Sequence, residues 1–183
     1  HVLDQIGMDN ILEEDTQLTH YCLEEMLNIP KVVIYGETCM TTCPRAGTIS
    51  FNIKQLNHGL VAAILNDYFN IAVRNECFCA HPYVEKMLEL THRIQIYKAR
   101  AKNITNWHTE PWMGMVRVSF GIYNTESDVD HFIYALKDII SKQDEYAKHY
   151  NINKHGDYEH KTFHFSCKDY FSLSQNVKDE LDL

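Results

Sequence analysis

The chain has 183 residues, 45% of them hydrophobic and 23% charged, which is enough apolar content for one buried core and excludes global disorder. Its formal net charge of -8 leaves no basic field for a phosphate backbone, so nucleic acid is excluded as a partner and Arg93, Lys98, Arg100 and Lys102 read as a solvated face. No apolar run approaches the roughly 18 residues of a membrane helix, and the opening "HVLDQIGMDN" has neither a basic nor an apolar signal region. The six cysteines, without such a signal, therefore point to reduced thiols and the cytoplasm. An amphipathic start with no initiator methionine reads as a piece of a longer protein.

In chain order, "DTQLTHYCLEEML" sets Leu18, Cys22 and Met26 four apart, which predicts a helix with one apolar face that Pro30 ends. "KVVIYGE" predicts a strand closed by Gly36. After the polar loop "ETCMTTCPRAG", "TISFNI" alternates Ile49, Phe51 and Ile53 onto one side, as a half-buried strand does. Asn57 is positioned to cap a helix whose inward stripe is Leu60, Val61, Ile64, Leu65 and Tyr68. "NIAVR" reads as a short strand leading into "RNECFCAHPYV". "MVRVSFGIYN" alternates again, and Thr125 with Asp128 has the spacing of a capping box for the helix "ESDVDHFIYALKDII". Val129, Phe132, Ile133, Leu136, Ile139 and Ile140 give that helix one apolar face.

These elements predict an α+β fold, a small and mainly antiparallel sheet packed against helices, because the strands are too short and too widely connected for a doubly wound parallel sheet. Residues 1–141 form the expected domain. Residues 142–183 read as a partly irregular extension in which His155, His160 and His164 sit on an exposed polar tail. Residues 85–114 are long for a loop, with a lid or a dimer contact as their expected role.

Chemistry concentrates in the thiols and one arginine. Cys79 follows a strand with Arg74 and His81 near in sequence, and cations near a thiol stabilise the nucleophilic thiolate; a small apolar filler in a turn is the alternative, which suits Cys77 better. Cys39, Cys43, Cys77 and Cys79 could instead supply four zinc thiolates if their loops meet, although CxxxC and CxC are weaker signals than paired CxxC knuckles. Arg117 lies inside the apolar strand pattern "VRVSF". It either snorkels to solvent or points into a pocket to receive an anion, for which a planar guanidinium suits a carboxylate. No GxGxxG or GxxxxGK phosphate cradle exists.

The segments "IPKVVIYGE", "RAGTISFNI", "HGLVAAILNDYFNIAVRNECFCAHPYV" and "VRVSFGIYNTESDVDHFIYAL" resemble, in order and spacing, the C-terminal small domain of class V aminotransferase-like pyridoxal-phosphate enzymes, in the cysteine desulfurase and selenocysteine lyase branch. The resemblance covers roughly residues 1 to 141. It implies that Cys79 stands at the mobile-loop cysteine that takes sulfur from a substrate cysteine as a persulfide and releases alanine. It likewise implies that Arg117 pairs with the substrate carboxylate, that Arg74 orients the loop with His81 nearby, and that Asn124 lies at the turn after the arginine strand. Pyridoxal phosphate, L-cysteine, a homodimer and a sulfur-acceptor protein are the implied cofactor, substrate and partners of the full-length enzyme. The sequence departs from the family where glycine and histidines are usual and Glu76, Cys77 and Phe78 stand. It also has no lysine in an "SxHK" context, no aspartate for the pyridine nitrogen and no phosphate-binding turn, so the N-terminal large domain is missing and this stretch alone is expected neither to bind the cofactor nor to turn over.

Overall fold

Every fourth or third residue of α2 (Met8–Leu27), from Leu18 through Cys22, Leu23 and Met26, is buried, so its apolar stripe becomes one wall of the core. The structure, a computed structural model, describes residues 2–39, 46–90 and 113–163. A short α1 (Val2–Ile6) precedes α2. Beyond α2 the chain forms β1 (Val32–Tyr35), β2 (Thr48–Ile53), α3 (His58–Phe69), β3 (Arg74–Glu76), α4 (His81–Met87), β4 (Met115–Ser119), α5 (Glu126–Ser141), α6 (Gln143–Ala147), β5 (Tyr150–Ile152) and β6 (Tyr158–His160). Asn57 caps α3 by accepting from the Gly59 N–H at 2.7 Å. Thr125 and Asp128 form the predicted capping box, with the Thr125 N–H donating to the Asp128 carboxylate at 2.8 Å. Among the described residues no helix is long and apolar enough to cross a membrane.

The fold is α+β. β1, β2, β4 and β3 form, in that order, a sheet in which each neighbouring pair is antiparallel. Because β2 alternates strictly, Ile49, Phe51 and Ile53 are buried on one side while Thr48, Ser50 and Asn52 lie on the other. Val116 and Val118 of β4 join the first set, and α2, α3 and α5 close over it with Leu23, Ile64, Phe132 and Leu136. Phe51 meets Phe132 edge to face, ring centres 5.8 Å apart. A second, smaller cluster of Cys77, Val84, Leu90, Met113 and Met115 lies on the opposite side, beneath α4.

Two predicted boundaries move. The strand expected at "NIAVR" begins only at Arg74, because Asn70, in the left-handed region at φ 55°, ends α3, and Ile71 is spent on a bond to the Leu65 carbonyl and on packing against the core. After Ser141, where the sequence has no usable period, α6 and the β5–β6 hairpin dock on α3 through isolated aromatics. Tyr146 and Tyr150 enter the main core, and the Tyr150 hydroxyl donates to Asp67 at 2.9 Å. The Tyr68 hydroxyl lies 2.6 Å from His149 Nδ1 and 2.9 Å from His160 Nε2. His160 Nδ1 accepts from the Phe163 N–H, so its proton resides on Nε2 and is given to Tyr68. His160 is thus a joint of the hairpin and not part of a free tail, whereas His155 is exposed and His164 lies outside the described residues.

Candidate functional site

On the side of the sheet away from the large helices, register builds a row across all four strands. Tyr35 pairs with Ser50, Ser50 with Arg117, and Arg117 with Arg74. Residues directly opposite in antiparallel strands share a face, so these four side chains stand in one line. Arg117 is half-buried and Arg74 exposed. Two like charges directly opposite are unfavourable unless an anion lies between or above them, and among the described residues neither guanidinium has a carboxylate partner. Arg117 Nε is buried with no hydrogen-bond partner, a deficit that folded proteins seldom leave.

The row opens into a cavity of about 340 Å3 lined by Tyr35, Thr48, Ser50, Phe78, Tyr83 and Arg117, with Ala46 and Ala80 at its edges. Among the described residues its lining offers one cation, no lysine, and four hydroxyls. The Phe78 ring lies 5.0 Å from the centre of the Arg117 guanidinium. Asn52 donates both to the Tyr35 hydroxyl at 3.3 Å and to the Gly114 carbonyl at 3.0 Å. Burial pushes the Tyr35 phenol above its ordinary range, against the opposing pull of Asn52, so Tyr35 serves as a neutral hydroxyl.

The thiols are carried by the turn between β3 and α4. The Ala80 N–H donates to the Cys77 carbonyl at 2.7 Å, and the two central residues, Phe78 and Cys79, have φ of 52° and 60°, the positive pair characteristic of a type I′ turn. Glu76 has φ 74°. Side-chain-bearing residues held there cost on the order of 1 kcal/mol each. The turn buries Cys77 and exposes Cys79. Burial, followed by the carboxylates of Glu76 and Glu85, pushes the Cys77 thiol up to about 11, so it stays protonated and packs as an apolar group. Phe78 and Ala80, on either side of Cys79, both line the cavity.

The structure therefore brings Arg117, Arg74 and the Cys79 turn to one face. His81, half-buried, opens α4 beside them. Asn124 is elsewhere: its side-chain carbonyl accepts from the Gly121 N–H at 2.7 Å, closing the turn before α5, and it lines a separate cavity of about 220 Å3 with Ile6, Ile11, Leu18 and Phe120. Cys39 is exposed, and Cys43 lies outside the described residues. Among the described residues no three His, Cys, Asp or Glu side chains cluster to hold a metal ion. Tyr35, Ser50, Thr48 and Tyr83 were not singled out from the sequence. For Thr48 and Ser50 the polar half of the "TISFNI" alternation was the signal, and it looks the same for a solvent-facing strand; Tyr35 and Tyr83 carried none.

Residues 1–132 match the family model for aminotransferase class-V. The chain belongs to the class-V aminotransferase family. Within it, the chain is 30% identical over 141 residues to a probable cysteine desulfurase of Staphylococcus epidermidis, covering 75% of this chain and 27% of that protein. A probable cysteine desulfurase of Staphylococcus aureus is 32% identical over 136 residues, covering 74% and 26%. Among solved structures, the apo cysteine desulfurase of Thermococcus onnurineus NA1 superposes with a TM-score of 0.59 at 26% identity, over 76% of this chain and 28% of that one. A cysteine desulfurase of Escherichia coli, at 17% identity and a TM-score of 0.54 over 76% and 27%, shares the fold. The chain thus spans about a quarter of the length of the curated relatives it matches. Class-V aminotransferases imply pyridoxal phosphate in the full-length enzyme.

Proposed function

We propose that this chain is the C-terminal small domain of a pyridoxal-phosphate-dependent cysteine desulfurase, and that it supplies the carboxylate-binding arginine and the sulfur-accepting thiol to a site completed by a large domain. The observation that carries the reading is Arg117: a half-buried guanidinium with an unpartnered Nε, opening on a hydroxyl-lined cavity beside an exposed cysteine. This donor set fits the carboxylate of an amino acid held on the cofactor. We assign the cofactor to residues of the large domain, since none of the described residues lining the cavity is a lysine, and on this reading the present stretch alone neither binds it nor turns over.

Pyridoxal phosphate, when bound, supplies the electron sink that makes the carbon–sulfur bond of the amino acid breakable. The residues here do the remaining work. Arg117 binds the carboxylate through its N–H fork, and Arg74, its partner on β3, adds a second positive charge on the same face. Ser50 and Tyr35 flank the fork with neutral hydroxyls. Cys79, as thiolate, attacks the substrate sulfur; the sulfur–carbon bond breaks, its electron pair stays with the carbon that becomes alanine after protonation, and Cys79 is left as a persulfide. His81, at the start of α4, is the nearby candidate for binding or proton supply. The further assignments are a homodimer, a sulfur-acceptor protein, a cytoplasmic location and a domain spanning residues 1–141 with a C-terminal extension from 142.

The test is sulfide and alanine release from L-cysteine, with added reductant, by the full-length protein and its Cys79→Ala variant. Loss of both products in the variant with cofactor still bound is the expected result. Unchanged turnover, or none in either protein, overturns the reading.

A further inference from the structure

Phe78 has two attachments. Its backbone is the first central residue of the turn that carries Cys79, and its ring lies over the Arg117 guanidinium. The Phe78 π face holds the guanidinium carbon at 5.0 Å, and no carboxylate or carbonyl oxygen among the described residues occupies the N–H bonds that an arriving carboxylate would use. Without that ring, little fixes the plane: Nε has no partner, and the like charge of Arg74 stands directly opposite. The backbone points the same way. At φ 52° a glycine would fit with no steric cost, so an aromatic residue here runs against local backbone preference, and what it adds is its ring.

We propose that Phe78 is a positioning residue that locks the plane of the Arg117 guanidinium and ties the Cys79 turn to it, so that a carboxylate arriving at Arg117 also orders the thiol. This rests on the carboxylate-binding role of Arg117 given above. The ring's remaining contacts, with the Cys77, Val84, Met113 and Met115 cluster, anchor the turn, and the contact with Arg117 links that anchor to the ligand. The proposal requires a π face, and an aliphatic side chain of similar size does not provide one.

The test compares Phe78→Tyr, which keeps the face, with Phe78→Leu, which fills space without it, in the full-length protein. Cys79 alkylation by iodoacetamide is followed by peptide mass spectrometry with and without L-alanine, which carries the carboxylate and no thiol. L-alanine is expected to slow alkylation about tenfold in the parent and in Phe78→Tyr and to have little effect in Phe78→Leu, a difference of the size a partly desolvated cation–π contact gives. KM for L-cysteine should rise with Phe78→Leu, and the same change in an Arg117→Ala background should add nothing further. Equal slowing in Phe78→Leu, or lost slowing in Phe78→Tyr with the fold intact, overturns the proposal; Phe78→Met replaces the leucine variant if that one does not fold. Absence of sulfide release from every variant counts against the desulfurase reading alone, because the alkylation readout needs no turnover.

Discussion

The two faces of one sheet obey different rules. The face under α2, α3 and α5 carries Ile49, Phe51, Ile53, Val116 and Val118, all buried and all apolar, and β2 and β4 contribute them as alternation demands. The other face carries Tyr35, Ser50, Arg117 and Arg74 in one register row, leaving a buried nitrogen unpartnered and three neighbouring residues of the adjoining turn at positive φ. The first face is locally consistent. The second violates charge pairing, polar satisfaction and backbone preference within a few residues, as functional sites do when ligand binding takes priority over stability.

The comparison breaks first at adjacent residues of β2. Phe51→Ala should cost about 3–5 kcal/mol in chemical denaturation by emptying the core next to Phe132, whereas Ser50→Ala, one residue earlier on the cavity face, should stay within about 0.5 kcal/mol. If both changes unfold the protein equally, the two faces do not differ as described. Arg117→Lys sharpens the functional side: replacing the planar fork by a point charge should lower kcat/KM for L-cysteine by one to two decades, about 1.5–3 kcal/mol, with thermal stability nearly unchanged. A smaller effect belongs to the helix side. Thr125→Ala removes half of the α5 capping box and should lose about 1 kcal/mol of stability without touching KM.

The smallest effect is a pH dependence at the join between α3 and the strand that carries Arg117. A Cβ on Gly114, itself at φ 150°, would come within 2.5 Å of His58 Nε2, so the ring is packed directly against that backbone. Burial lowers the His58 pKa from 6.5, with a bond to the Met113 backbone as a weaker opposing influence. The unfolded chain then binds the proton more readily than the folded one just below pH 6.5, so stability is fully present above that pH and declines as pH falls through it. Urea midpoints measured between pH 7.5 and 5.5 should show that decline, and His58→Gln should flatten it.

Most of the helix-covered face was legible in the residues themselves. The four-residue spacing of Leu18, Cys22 and Met26, the alternation in "TISFNI", the Asn57 cap and the Thr125–Asp128 box are local signals, and local sterics and hydrogen bonding are enough to convert them into structure. Cys79 and Arg117 stood out singly, as a thiol near cations and a charge inside a strand. Neither signal says that the two belong together. The docking of α6 and the hairpin was likewise hidden, because it depends on Tyr146 and Tyr150 meeting distant partners and not on any period in the tail.

By itself, then, the sequence determined α2, α3, α5, β1, β2, β4 and the class of fold, since hydrophobic periodicity and capping act over a few residues. Only the tertiary structure decided that Arg117 lies opposite Arg74 and beside Ser50 and Tyr35, that Phe78 covers its guanidinium, that Asn124 closes a different turn, and that Cys77 is inward while Cys79 is outward. Those facts depend on strand register and on the hand of a single turn. A slip of one residue in the pairing of β2 or β4 would turn Ser50 or Arg117 to the opposite face.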